Sequence, residues 1–219
     1  YDDGTLAITA TSKDIKGKTV VKDYGDISRL ESAPWNTEKT QITTIDIVDK
    51  ITPNEVKGWF NNCNNLTTIN NMENLDTNKV TSMNSLFSGC SSLTNLDLSS
   101  FNTNNVTDMG SMFSRCKSLT SLDLSSFNTS NVTNMQSMFD DCQALTSLNV
   151  SNFNTSNVIY MNSMFNGCFR LTSLDVSNFN TSNVIYMNDM FAFCYDITNL
   201  DLSNFNTTNV TNMGWMFGH

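Results

Sequence analysis

A block of 26 residues recurs through most of this 219-residue chain. The cysteines mark the period most clearly, because neighbouring cysteines are 26 residues apart, or 27 in the first interval. They are Cys63, Cys90, Cys116, Cys142, Cys168 and Cys194. Self-similarity at about 20–50 residues is typical of a solenoid, in which each repeat buries its apolar face only against its neighbours. The period therefore predicts an elongated stack of coils.

The repeat divides the chain into two parts. Residues 1–41 do not repeat and predict a β-rich N-terminal cap, with one strand over Thr5–Thr9, a second β-rich run around Thr19–Val21, and a buried Trp35. Residues 42–219 predict a solenoid of about seven coils. The next cysteine of the series would fall at position 220, so we expect this array to be truncated before its C-terminal cap.

Each repeat has two halves. Residues 119–125 alternate apolar and polar side chains, which predicts a short strand with Leu122 and Leu124 inward and Asp123 outward. A polar turn follows over residues 128–131. Apolar side chains then recur at offsets 0, 3, 6, 7 and 10, which predicts a short helix. These are Val132, Met135, Met138, Phe139 and Cys142.

Together these patterns predict an α/β solenoid. It would be a right-handed coil with a parallel sheet on one face and short helices on the other, stacked at the ~4.8 Å separation of strands. The second coil carries one extra residue near Asn71, where we expect a local bulge.

The strand motif Leu-x-x-Leu-x-Leu belongs to the leucine-rich repeat pattern. The fuller unit over residues 127–148, with its fixed Phe, Asn, Val, Met and Cys positions, closely resembles the BspA-like leucine-rich repeats of bacterial surface proteins. The resemblance covers residues 42–219. It implies a secreted or wall-attached protein with a role in adhesion, and it brings no catalytic residues with it.

Composition excludes several functions. The net charge is −9, and twelve scattered Lys and Arg residues provide no basic stripe for nucleic acid. No apolar run approaches the roughly 20 residues that cross a bilayer. The single histidine is His219, and no phosphate loop or nucleophile motif interrupts the repeat, so we expect no enzymatic activity and no cofactor.

The cysteines allow two chemical interpretations. A metal site is disfavoured, because the cysteines are 26 residues apart and have no histidine partners. Disulfides between adjacent coils remain open, since stacked strands bring Cα atoms within the 4.4–6.8 Å range that a disulfide needs. The alternative is a column of reduced, buried thiols at the end of the apolar face.

An acidic column runs along the outward strand positions of successive coils. Stacked carboxylates repel one another and would attract a cation or a cationic partner. The alternative is that each carboxylate bonds nearby backbone or hydroxyl groups. The members are Asp97, Asp123, Asp175 and Asp201, together with Asp46, Asn70 and Asn149.

Two neighbouring repeats depart from the polar consensus and predict a binding patch. Ile159 and Ile185 follow the buried valine, where we expect them to be exposed with Tyr160 and Tyr186 beside them. The same repeats add Phe169, Phe193 and Tyr195. The alternatives are recent duplication, because residues 153–162 and 179–188 are identical, and packing against a neighbouring domain.

The leading hypothesis is a binding module of a bacterial adhesin, extracellular and monomeric, that recognises a host or cell-surface protein or glycan. One alternative is a passive stalk that displays another domain. A remote alternative is an ice-binding or cation-binding solenoid.

Overall fold

The computed structural model describes residues 2–9 and 34–218. Each coil is counted from the first leucine or isoleucine of its strand motif. Coils 1 to 7 begin at Ile42, Leu66, Leu93, Leu119, Leu145, Leu171 and Ile197. The β-rich run predicted around Thr19–Val21 lies outside the described residues.

One parallel sheet joins the N-terminal segment to the first two coils. Its strands are β1 (Thr5–Ile8), β2 (Thr44–Ile47) and β3 (Thr68–Asn70), in that order. Thr5 lies opposite Thr44, and Thr44 lies opposite Thr68. The predicted strand at the N-terminus is therefore present, and it continues the stack of the coils by one further strand.

Two short 3₁₀ turns flank these strands, at Lys39–Gln41 and Met72–Asn74. The second turn follows Asn71, whose φ of +57° lies in the left-handed region. Asparagine tolerates that region because its short polar side chain bonds locally. The extra residue of coil 2 is accommodated at this point.

Beyond β3 the described residues form no further regular strand, although the side chains keep their predicted sides. Leu122 and Leu124 are buried and Asp123 between them is exposed. The Asp123 carboxylate accepts a hydrogen bond from the Ser125 amide at 2.9 Å. Such local side-chain bonds compete with a strand ladder, so the predicted sheet is regular only over its first three strands.

The predicted helices are wrong, because no α-helix occurs in the part of the chain that the structure describes. In coil 4 the Met138 amide bonds to the Met135 carbonyl at 3.2 Å, and the Cys142 amide bonds to the Phe139 carbonyl at 3.1 Å. Ser137 lies between the two turns with a φ of +53°. The stretch from the buried valine to the cysteine of each coil, residues 132–142 in coil 4, is therefore a series of tight turns. We call it the turn segment.

Alternate amides of the turn segment bond to the next coil. In coil 4 these bonds are 2.7–2.9 Å long and reach carbonyls of coil 5. The donors are Met135, Ser137, Phe139 and Asp141, and the acceptors are Tyr160, Asn162, Met164 and Asn166. Beyond β3 the turn segments thus provide most of the backbone pairing between coils, and the strand face adds isolated contacts such as the bridge between Ser147 and Ser173.

Size and composition explain why turns replace helices. A helix is about 10–12 Å across with its side chains, whereas the stacked phenylalanine rings of successive coils are 5.7–6.0 Å apart. The turn segments are also rich in serine, asparagine and glycine, which are weak helix formers. Tight turns therefore allow a closer stack than helices would.

The core is built from columns of like side chains along the axis. Five phenylalanines stack with their ring planes within 10° of parallel. They are Phe87, Phe113, Phe139, Phe165 and Phe191. At the N-terminal end Trp35 is buried against Trp59 and Phe60, and its indole N–H donates to the Trp59 carbonyl at 2.8 Å.

The six cysteines form a second column of free thiols. The Cys116 thiol donates to the Phe87 carbonyl of the preceding coil at 3.2 Å, and four other cysteines make the equivalent bond. Burial raises the pKa of Cys116 to about 12. These thiols are therefore protonated hydrogen-bond donors at neutral pH rather than reactive thiolates.

Three large apolar side chains of the last coil are open to solvent. Met213, Trp215 and Phe217 are 44%, 71% and 53% exposed, whereas Met187 and Phe191, the equivalents of Met213 and Phe217 in coil 6, are buried. Among the described residues, no helix has the length and apolar character needed to span a membrane.

Candidate binding surface

Tyr160 and Tyr186 form an exposed stacked pair on coils 5 and 6. Their ring centroids are 5.5 Å apart with planes 4° from parallel, and the side chains are 40% and 39% exposed. A parallel β-bridge holds their backbones in register. We call these two residues the tyrosine pair.

The same position has a structural role in other coils. Ser82, Asp108, Asn134 and Asn212 each accept a hydrogen bond from the amide two residues further along the chain, at 2.9–3.3 Å. A tyrosine hydroxyl lies at the far end of a rigid ring and cannot fold back to that amide. Accordingly, the amides of Asn162 and Asn188 have no acceptor among the described residues.

The two isoleucines next to the tyrosine pair differ from expectation. Ile159 and Ile185 are half-buried rather than exposed. Exposure would follow if residues 158–168 and 184–194 were helical, because the isoleucines would then lie opposite the apolar face, but the described residues form no helix there. The Ile185 amide instead bonds to the Ile159 carbonyl at 3.0 Å, so the isoleucines belong to the backbone pairing between the coils.

Three further aromatic residues form a separate cluster at the other end of the turn segments. Phe169 and Tyr195 have ring centroids 5.5 Å apart, and Phe193 lies edge-on to Tyr195 at 6.1 Å. Phe193 is 37% exposed and Tyr195 is 59% exposed. The sequence predicted one patch, whereas the structure places its members in two sites at opposite ends of the turn segments.

The three rings are among the side chains that line an open groove of about 400 Å³. Its remaining lining consists of Arg115, Asp140, Asp141, Asn166 and Gly167, from coils 3 to 5. We call this concavity, with its three rings, the aromatic groove. None of these five residues was among the predicted site residues.

The polar lining of the aromatic groove is interconnected. Asp140 accepts hydrogen bonds from the Asn166 amide group at 2.6 Å and the Ser114 hydroxyl at 3.2 Å. Asp141 accepts one from Gln143 at 3.1 Å and lies 3.8 Å from the Lys117 ammonium group. Burial raises the pKa of Asp140, and its two hydrogen-bond donors oppose that rise.

Gly167 and Phe193 occupy the same column of left-handed backbone, one coil apart. Gly167 has a φ of +69°, and a Cβ added there would lie 2.8 Å from the Asp141 carboxylate. A side chain at this position would therefore crowd Asp141. Phe193 has a φ of +57°, a conformation that is uncommon for bulky residues and carries strain.

The acidic column has a structural explanation within each coil. Hydrogen bonds from Ser125, first from its backbone N–H and then from its hydroxyl, lower the pKa of Asp123, and the equivalent serines lower the pKa values of Asp97 and Asp201. For Asp175 the Ser177 hydroxyl is the larger cause. Each carboxylate thus folds onto its own turn. Across the described residues, no group of three or more His, Cys, Asp or Glu is placed to hold a metal ion.

One sequence signal could have found part of the groove. Asp140 and Asp141 are adjacent acids at a position where coils 1, 2, 3, 5 and 6 carry Asn-Asn, Ser-Gly, Ser-Arg, Asn-Gly and Ala-Phe. The sequence does not indicate that Arg115 lines the same groove, because only the stacking of the coils brings Arg115 near coil 5.

Comparison with solved structures shows the class of fold. The T. pallidum leucine-rich repeat protein is similar over 100% of this chain and 88% of its own, with a TM-score of 0.58 and 16% identity. A leucine-rich cell surface protein from Faecalibacterium prausnitzii matches over 78% of this chain and 46% of its own, with a TM-score of 0.43 and 17% identity. A Bacteroides ovatus leucine-rich repeat protein matches over 86% of this chain and 50% of its own, with a TM-score of 0.40 and 15% identity.

The stacked coils and the first of these similarities define the chain as a leucine-rich-repeat solenoid, which confirms the resemblance drawn from its sequence. No curated protein matches the chain. The family model described as "Mycoplasma protein of unknown function, DUF285" matches residues 54–149 and 143–219, which together exceed half of the chain. The protein belongs to this family.

Proposed function

We propose that this chain is the binding module of a non-catalytic adhesin displayed outside the cell. It recognises a protein or glycan on a host or neighbouring cell, and the tyrosine pair is its principal contact. The exposed tyrosine pair is the observation that carries this proposal. The extracellular location is supported by the resemblance of the repeats to those of BspA-like surface proteins.

The tyrosine pair is costly as a purely structural feature. Each tyrosine replaces a side chain that accepts a backbone hydrogen bond in four other coils. A typical bond of this kind contributes about 0.5–1.5 kcal/mol. Tyrosine is also enriched in binding hot spots, since it offers a large rigid surface with a polar end. At these two positions the chain loses an internal hydrogen bond and gains an exposed aromatic ring, which favours a role in recognition.

A stalk is the second candidate, and the unbroken stack of phenylalanine rings favours it. Such a stack would hold a distal domain at a fixed distance from the cell. A stalk does not need an exposed aromatic pair, however, so changes at Tyr160 and Tyr186 should leave its role intact.

The deciding experiment measures binding of the fluorescently labelled chain to bacterial and animal cells by flow cytometry. We expect the double variant Tyr160→Asn/Tyr186→Asn to bind at least about tenfold more weakly, the loss of one to two hot-spot contacts. The matched control is Asn212→Ser, which changes the same column but keeps an acceptor for the Gly214 amide, as Ser82 does for the Asn84 amide in coil 2. Equal binding by the double variant and the control, or no binding of the natural chain to any cell, would favour the stalk.

A further inference from the structure

We infer that the aromatic groove is a carbohydrate site that holds a neutral sugar residue. The inference rests on the proposed function and gives it a ligand class, but it uses a different part of the surface. The tyrosine pair and the groove lie at opposite ends of the turn segments, so each can be altered without the other.

The first reason is the combination of ring surface and concavity. Phe193 and Tyr195 keep more than a third of their side chains open to solvent beside a groove of about 400 Å³. That volume lies within the ~300–1,000 Å³ range of small-ligand sites. One face of a pyranose ring carries mainly C–H groups and packs well on an aromatic ring.

The second reason is the supply of both donors and acceptors. The Asn166 side-chain oxygen accepts no hydrogen bond from the described residues, and the Arg115 guanidinium donates none to them. The Asp140 and Asp141 oxygens have further lone pairs beyond their present partners. A sugar hydroxyl both donates and accepts, and therefore suits such a mixed lining.

The third reason is charge balance. Two carboxylates, Asp140 and Asp141, face two cations, Arg115 and Lys117, within the groove and at its edge. A strongly acidic ligand would meet the carboxylates, and a strongly basic ligand would meet the cations. The lining therefore favours a ligand that is polar without a net charge.

The fourth reason is the local strain at Phe193. Equivalent positions in other coils carry Asn62, Gly89, Arg115, Asp141 and Gly167, all with positive φ. Asparagine, aspartate and glycine accept that conformation at little cost, whereas Arg115 is bulky like Phe193 and also lines the groove. A phenylalanine there is strained and partly exposed, and strain of this kind points toward a functional role. The ring it provides is one wall of the groove.

The probes are the methyl glycosides of glucose, galactose, mannose and N-acetylglucosamine, titrated into the chain while chemical shifts are followed by NMR. We expect at least one glycoside to bind, with resonances of the groove residues shifting. Tyr195→Ala and Phe193→Asn should each weaken binding about tenfold, the effect of one lost ring contact. Because the ligand is neutral, added salt should change the affinity little.

The double variant Tyr160→Asn/Tyr186→Asn is the matched control and should bind the glycoside as the natural chain does. Glycoside binding that persists when cell binding is absent would refute the adhesin proposal and support the sugar site. The sugar site is refuted if none of the four glycosides binds, or if both groove variants bind them unchanged. It is also refuted if a lysine-rich peptide binds the groove in a salt-sensitive way while the glycosides do not.

Discussion

One surface position of the repeat has different roles in two regions of the molecule, coils 3 and 4 on one hand and coils 5 and 6 on the other. In coils 3 and 4, Asp108 and Asn134 turn their side chains back onto the chain and satisfy an amide. In coils 5 and 6, Tyr160 and Tyr186 direct ring surface outward at the same positions. The difference shows that the core and the backbone pairing hold the stack together, which leaves this column free to vary.

The largest expected effect is in the core, where the two regions should behave alike. Phe139→Ala in coil 4 and Phe165→Ala in coil 5 should each lower the free energy of unfolding by about 3–5 kcal/mol, since each removes a buried ring from the stack. Chemical denaturation measures this loss. A cost below about 1 kcal/mol, or a large difference between the two variants, would mean that the stack is not shared.

The next effect tests the turn segments. Gly167→Ala should cost about 1–2 kcal/mol, because it places a side chain on left-handed backbone. A helix would instead gain roughly 0.5–1 kcal/mol from this change. Ser137→Gly in coil 4 is the matched control and should leave stability equal or higher. If chemical denaturation shows that Gly167→Ala stabilises the chain and Ser137→Gly destabilises it, the turn segments are helical.

A smaller effect concerns the column that distinguishes the two regions. The Tyr160→Asn variant should be about 1 kcal/mol more stable than the Tyr160→Ala variant, because asparagine can accept a hydrogen bond from the Asn162 amide. Asn134 accepts the equivalent bond from the Gln136 amide in coil 4. Asn134→Ala should lose at least as much in coil 4, because the Asn134 side chain also donates to the Asp108 carboxylate at 2.9 Å. Thermal unfolding of the three variants measures the order. If the Tyr160→Asn and Tyr160→Ala variants are equally stable, the side chain at this position does not stabilise the coil by accepting the amide two residues later.

The smallest effect is expected in the acidic column, which both regions share. Hydrogen bonds hold the pKa values of Asp97, Asp123, Asp175 and Asp201 below the ordinary value of 3.8. A lowered folded-state pKa stabilises the fold above the unfolded-state value, and that contribution is lost as the pH falls through the folded-state value. Acid unfolding should therefore be less pH-dependent in a variant with asparagine at all four positions.

Asn149 is the natural precedent for this change, since its side chain accepts the Ser151 amide at 3.0 Å without a charge. At neutral pH the fourfold variant should unfold at a slightly lower temperature than the natural chain, and the difference should vanish in acid, where the natural carboxylates are protonated. An unchanged acid transition would show that these hydrogen bonds do not contribute to stability.

Much of the fold was predictable from the repeat. The inward side of Leu122 and Leu124, the burial of the valine, methionine, phenylalanine and cysteine columns, and the strand at Thr5 all follow from local patterns. The offsets of Val132 to Cys142 fit both a helix and a series of turns. The choice between them depends on whether alternate amides find carbonyls in the next coil, and that is a non-local property.

The candidate site was predictable only in part. Tyr160, Tyr186, Phe193 and Tyr195 stood out because they break the consensus of the repeat, and all four are exposed. The separation of these residues into two sites could not be predicted, because the sequence pattern predicted a helix where the structure has a series of tight turns. The groove was missed for a related reason, since Arg115 and Asn166 are 51 residues apart in the chain and meet only across stacked coils.

The sequence by itself determined that like residues form columns along one axis, because a strict 26-residue period allows each apolar face to be buried only by its own copies. The tertiary structure alone decided how each coil closes. With neighbouring rings 5.7–6.0 Å apart, there is no room for helices, and the backbone pairs between coils instead. That spacing also decided which surface side chains from different coils come together to form a site.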